Sequence, residues 1–426
     1  MKNDWLKIYI VSIFGYALIA FSANAQSIVI KNATIYDGIN NSPFVGNILI
    51  DQNKISKVST SNLQADFVID ASDKIVTPGF IATDTQIGIV EIGALSVTRD
   101  DSSNMYEIGF SIFNAFNPNS TLIPWNRSNG ITSALTLPDN TSSPIGGLGS
   151  FFVLDGNLDI TASPDMVMIG EFGGSSNKSR AEQFSIIEDL LILASSITKS
   201  DINSDLVLSE LIDEWSIADA MSLHPRDLRA LYKLVNDDLP LIIRSNRASD
   251  LLKLIELKEK FDLNIIIMGA KEAGVVATKL AEYDIPLIID PMNNIPESFD
   301  ELASNIRMAG RLEKNGIKMM FTVSRSHNHH LIRQGAGVAV ANGLSYGAAI
   351  KSLTSTPAEV FGIKDRGVIE SGKIADLIIW EADPLEPSSM PEYIFINGEN
   401  IDLTTRSSRL RDRYTKKLDK PVIYRD

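Results

Sequence analysis

The chain carries four histidines and no cysteine, and three of the histidines stand together in His327-Asn328-His329-His330. An H-x-H spacing can offer two imidazole nitrogens to one divalent ion, so this cluster is a first place where chemistry could reside. The same residues could instead open a helix, with His327 and Asn328 as its cap and His329 and His330 on a solvated first turn. His224, just before Pro225, reads as a surface residue in a loop or at a helix start. Without cysteine there is no thiolate nucleophile, no thiolate metal ligand and no disulfide. There is no G-x-S-x-G elbow either. Residues 142–149 (SSPIGGLG) are glycine-rich but lack the Lys-Ser/Thr ending of a nucleotide loop, so they read as a tight turn. Glu91 and the pair Asp100-Asp101 default to carboxylates on a solvated loop.

The elements that must position these groups fall into two rhythms. Near the start, residues 28–30, 33–38, 46–50 and 55–58 are short, β-rich and separated by polar turns. Residues 375–380 and 393–398 repeat that habit near the end, which implies one small β-sandwich closed by both ends of the chain. Between them, apolar strands at 241–244, 264–268, 285–289 and 317–323 alternate with helical spacing at 249–261, 271–282 and 299–312. Nearly all-apolar strands joined by helices imply a parallel sheet buried on both faces. Several such units in about 280 residues favour a (β/α)8 barrel. The expected class is therefore α/β, a TIM-type barrel with a sandwich. Residues 26–75 and 363–402 would form the sandwich and 76–362 the barrel, with 403–426 a basic tail. The polar stretch 100–128 reads as a long loop with short helices over the barrel mouth.

At 426 residues, 44% hydrophobic and 22% charged, the chain is globular in balance. Its formal net charge of −14 argues against nucleic acid as a partner, because such binders need a basic footprint. Lys2 and Lys7, the uncharged run from Ile8 to Phe21 and the small residues Ala23-Asn24-Ala25 read as a signal peptide cleaved after Ala25. The run falls short of the roughly 20 residues that cross a bilayer. The expectation is thus a periplasmic or secreted protein with no membrane anchor after cleavage. The tail at 406–417 (RSSRLRDRYTKK) is either a solvated terminal helix or a clamp on a second copy in a homo-oligomer.

Residues 76–88 (VTPGFIATDTQIG) resemble the V-x-P-G-[FL]-I-D-x-H-x-H segment that opens the barrel of the amidohydrolase superfamily. Residues 352–362 resemble the last barrel helix of that family, and 367–377 (GVIESGKIADL) its G-x-I-x-x-G-K-x-A-D-L motif. The likeness runs over about residues 27–402, with imidazolonepropionase-like and related exported amidohydrolases nearest in pattern. It implies hydrolysis of C–N bonds other than peptide bonds, with one or two metal ions, usually zinc, held at barrel strand ends. Carried over position by position, the ligands change. Asp84 and Gln86 stand at the two histidines of the first strand, and Arg244 and Asn246 at those of the fifth. Gly269 falls near the histidine of the sixth strand, and Arg325 at the acid/base aspartate of the eighth. Glu171 is the candidate on the fourth.

Two kinds of site follow from that likeness. Asp84, Glu171, His327 and His329 could make a non-standard centre for zinc or another divalent metal. Arg244 and Arg325, which would place fixed positive charge where a cation belongs, could instead take an anion, with Asp84 as counter-ion and Gln86, Asn246 and His327 around it. An internal Asp–Arg ion pair filling the vacated volume is the structural alternative. Three functions correspond to these. A non-catalytic or altered amidohydrolase would bind a small anionic or amide- or peptide-like molecule without a cofactor. An active hydrolase would use the non-standard metal. A structural or assembly partner would have an inert mouth.

Overall fold

The computed structural model describes residues 27–139, 144–174, 178–323 and 328–415. Two eight-stranded sheets organise them, each with its own core.

The first sheet comes from both ends of the chain. Its strands are β1 (Ile28–Ile35), β2 (Phe44–Asp51), β3 (Lys54–Ser59), β4 (Phe67–Asp70), β5 (Ile75–Pro78), β14 (Leu377–Trp380), β15 (Pro391–Ile396) and β16 (Glu399–Asn400). The order is β16-β15-β14-β5-β1-β2-β3, with β4 beside β1. Ile30, Ile35, Ile48, Ile55, Leu377 and Phe395 fill its core. The strands are hydrogen-bonded in one sheet, and Lys54 at the start of β3 also bridges Ile374, just before β14. β5 pairs with β1 and β14, so the residues from 76 to 78 belong to this sheet and the barrel begins at Phe80.

The second sheet is the barrel: β6 (Phe80–Thr85), β7 (Ile131–Thr136), β8 (Ile145–Val153), β9 (Ala162–Glu171), β10 (Leu241–Ser245), β11 (Ile265–Gly269), β12 (Leu287–Ile289) and β13 (Met319–Phe321). They pair in chain order, and β13 comes back to β6, where the Thr83 hydroxyl donates to the Phe321 carbonyl at 3.5 Å. β9 to β13 run parallel, and their apolar residues are buried because helices cover the outer face. β8 breaks the βα rhythm, running antiparallel to both β7 and β9. Its first residues, Ile145 to Gly149, come from the glycine-rich stretch expected to be a tight turn. They form a wholly buried strand because a side chain there would not fit: a Cβ on Gly149 would lie 2.5 Å from Leu137.

Trp380 joins the two bodies. It is fully buried, stacks on Phe80 with centroids 5.4 Å apart and donates its indole N–H to the Thr77 hydroxyl at 2.9 Å. The helix expected over 299–312 is confined to Met308–Lys314. The residues before it form a strap of turns, since Asp300 and Glu301 are engaged by Arg180 and Asn246 rather than by helical neighbours. The tail forms the helix Arg406–Thr415. Among the described residues no helix is long and apolar enough to cross a membrane.

Candidate functional site

A strand's alternate residues share a face, so Asp84 and Gln86, and likewise Arg244 and Asn246, point the same way from β6 and β10. All four line one cavity of about 400 Å³ at the C-terminal ends of the barrel strands. Gly269 ends β11 in the same wall, and Asp290, Thr322 and Val323 follow β12 and β13. Asn293, Glu297 and Glu301 of the strap, with Asp139 and His329, complete the rim.

Asp84 and Arg244 dominate the floor. The Arg244 Nη2 lies 4.0 Å from the Asp84 Oδ1, with the arginine side chain 46% exposed and the aspartate 22%. The Thr322 hydroxyl donates to the other Asp84 oxygen at 3.3 Å. Burial pushes the Asp84 carboxyl above the ordinary carboxylate range and Asp290 adds to this, against the pull of Arg244 and the Thr322 hydrogen bond.

Gln86 is turned to a different partner. Its amide donates to Asp101 at 2.7 Å, and Asp101, fully buried, is clamped by Arg99 at 2.8 Å. Asp101 is thus no solvated loop carboxylate. It holds the loop after β6 against the barrel. Asn246 donates to Glu301 at 3.1 Å, and its buried carbonyl oxygen has no hydrogen-bond partner. That oxygen faces Gly269, where a Cβ would come within 2.4 Å of it.

The remaining expected residues are placed as follows. Glu171 ends β9 level with Arg244 in register but does not line the cavity. His329, expected on a solvated turn, is 2% exposed and sits in the cavity wall on the short helix His329–Leu331. His330 accepts a hydrogen bond from the Trp125 indole at 3.1 Å. His224 is an exposed N-cap, its Nδ1 accepting from the Arg226 amide at 3.2 Å. Arg325 and His327 lie outside the described residues, as does the leader at 1–25. Sequence reasoning missed Lys271, Asp290, Glu297 and Glu301. Asp290 directly follows an apolar strand, and that position at a barrel's catalytic end could have found it.

Residues 208–409 match the model of the amidohydrolase family. These residues form an amidohydrolase-family domain. A solved amidohydrolase from Thermotoga maritima superposes with a TM-score of 0.74 at 22% identity, over 88% of this chain and 99% of that one. A prolidase complexed with N-methylphosphonate-L-proline gives a TM-score of 0.53 at 16% identity, again over 88% and 99%. In sequence, the amidohydrolase tasK of Hapsidospora irregularis is 24% identical, over 83% of this chain and 40% of its own length. An adenine deaminase of Clostridium perfringens is 23% identical, over 88% of this chain and 58% of its own length. The chain therefore spans about half the length of these two curated relatives.

The amidohydrolase fold implies a divalent ion at these strand ends, held by converging imidazole and carboxylate donors. The described residues do not fit it. No three His, Asp or Glu side chains among them are grouped to hold an ion. The guanidinium of Arg244 stands beside the carboxyl that would be a ligand, and Gln86 spends its amide on Asp101.

Proposed function

We propose that this amidohydrolase-superfamily chain binds a small amide- or peptide-like carboxylate in the barrel mouth, with Arg244 as its anchor. The half-exposed guanidinium of Arg244 on the cavity floor carries this reading. A planar fork of N–H donors suits a carboxylate, and its free face is directed to solvent rather than wholly spent on Asp84. The cavity volume matches a small molecule. Metal-dependent hydrolysis is not part of the proposal, because Arg244 stands beside Asp84 and no three His, Asp or Glu side chains among the described residues are grouped to hold an ion. The leader-like first 25 residues support a place beyond the cytoplasmic membrane.

Calorimetric titration tests this with N-acyl amino acids and dipeptides set against their own carboxamides. The carboxylates should bind and the matched carboxamides should not. Equal binding of both would remove Arg244 as an anchor. One equivalent of tightly held zinc in protein purified without a chelating tag, with hydrolysis of an N-acyl amino acid, would replace this reading by a non-standard centre around Asp84 and His329.

A further inference from the structure

We infer that Lys271 is a carbonyl-capturing amine, condensing with the aldehyde or keto group of a small 2-oxo acid whose carboxylate is held by Arg244. The carboxylate half rests on the function proposed above. The amine half stands on its own geometry.

Lys271 is 7% exposed and lines the cavity just beyond β11. Two consecutive left-handed residues deliver it there, Gly269 at φ +89° and Ala270 at φ +48°. For alanine that conformation is strained, and it persists only where surrounding bonds enforce it. They do: the Ala270 amide donates to the Ser245 carbonyl at 2.8 Å, and the Glu272 amide to the Asn246 carbonyl at 3.0 Å. The turn thus holds strain while it aims the next side chain into the barrel mouth.

The Lys271 amine donates to the main-chain carbonyl of Asn293, a neutral acceptor that occupies a single N–H. A neutral amine in that pose keeps its lone pair for an electrophile. Burial favours the neutral form, against the pull of Glu301, Asp290 and Glu297. In the step, the Nζ lone pair forms the C–N bond as the carbonyl π pair moves to oxygen. Transfer of a proton from nitrogen to that oxygen gives a carbinolamine. The hydroxyl then takes a proton and leaves as water, and the nitrogen lone pair closes the iminium. Asp290 and Glu301, in the same cavity, are the groups placed to carry these protons.

The test uses the full chain with glyoxylate and cyanoborohydride, which reduces an iminium to a stable secondary amine read by peptide mass spectrometry. Lys271 should be trapped faster than the exposed Lys54 and Lys57, because burial favours its neutral, nucleophilic amine. Arg244→Gln should slow trapping of glyoxylate by about tenfold, the loss of one charge-assisted hydrogen bond, and leave trapping of acetaldehyde unchanged. Lys271 trapping no faster than Lys54 and Lys57 with both aldehydes would overturn the amine. Fast trapping of both with no effect of Arg244→Gln would keep the amine and overturn the carboxylate anchor.

Discussion

Replacing Arg244 by glutamine separates a binding arginine from a merely structural one. At 4.0 Å the Asp84–Arg244 pair has a Coulomb energy of about 4 kcal/mol at an effective dielectric of 20. That is an upper bound, because 46% of the arginine side chain and 22% of the aspartate side chain meet solvent. Water screens such a pair, side-chain ordering opposes it, and its net worth falls to about 1 kcal/mol or less. Loss of the cation also lets the half-buried Asp84 carboxyl take up a proton more readily, which softens the cost further. The variant should therefore melt within about 2 °C of the parent. Binding should respond differently. A hydrogen bond between guanidinium and a ligand carboxylate contributes about 1.5–3 kcal/mol, and partial exposure favours the lower end. Affinity for an N-acyl amino acid should then fall by about tenfold. Differential scanning fluorimetry and calorimetric titration on one preparation read both quantities. A fall of many degrees in Tm with unchanged affinity would refute the reasoning, showing that Arg244 serves to hold β6 to β10.

Two further outcomes follow from particular contacts. Trp380→Ala should cost about 3–5 kcal/mol in urea unfolding, since it removes a fully buried indole stacked on Phe80. Trp380→Phe should cost less, since it keeps an aromatic ring against Phe80 while losing the hydrogen bond to Thr77 and part of the buried volume. Asp84→Asn should change the pH dependence of stability. Burial raises the folded carboxyl above its unfolded value, so the stability it contributes is complete below the unfolded value and is lost as pH rises through the folded one. The advantage of the asparagine variant over the parent should thus grow as pH rises above the ordinary carboxylate value of about 4. Urea midpoints showing the reverse trend would count against a raised carboxyl.

The barrel was legible wherever strands were nearly all apolar. Runs such as Leu241–Ser245 and Ile265–Gly269 admit few environments other than a parallel sheet covered on both faces. β8 was not legible, since its glycines signal a turn locally and only the crowding around Gly149 shows why they belong in a strand. The strap after β12 escaped for a similar reason. Its carboxylates Asp300 and Glu301 are satisfied from distant elements, by Arg180 and Asn246, which no local periodicity records. The site divides the same way. Asp84 with Gln86, and Arg244 with Asn246, could be read as i, i+2 pairs at strand ends, whereas Lys271 depends on the left-handed turn at Gly269 and Ala270.

The motif at 367–377 shows why family likeness and function must be argued from different residues. Its Asp376 is buried, pairs with Arg366 and accepts the Asn397 amide at 2.7 Å, while Arg366 also donates to the Asn397 side chain at 2.9 Å. These bonds tie the segment before β14 to the turn after β15, in the first sheet and outside the residues that line the barrel cavity. Breaking such a buried pair leaves an uncompensated charge, so the motif is under a strong structural constraint whatever the barrel mouth does. Its presence therefore reports on the frame. The chemistry is decided at the strand ends, where a guanidinium and a buried amine face the cavity.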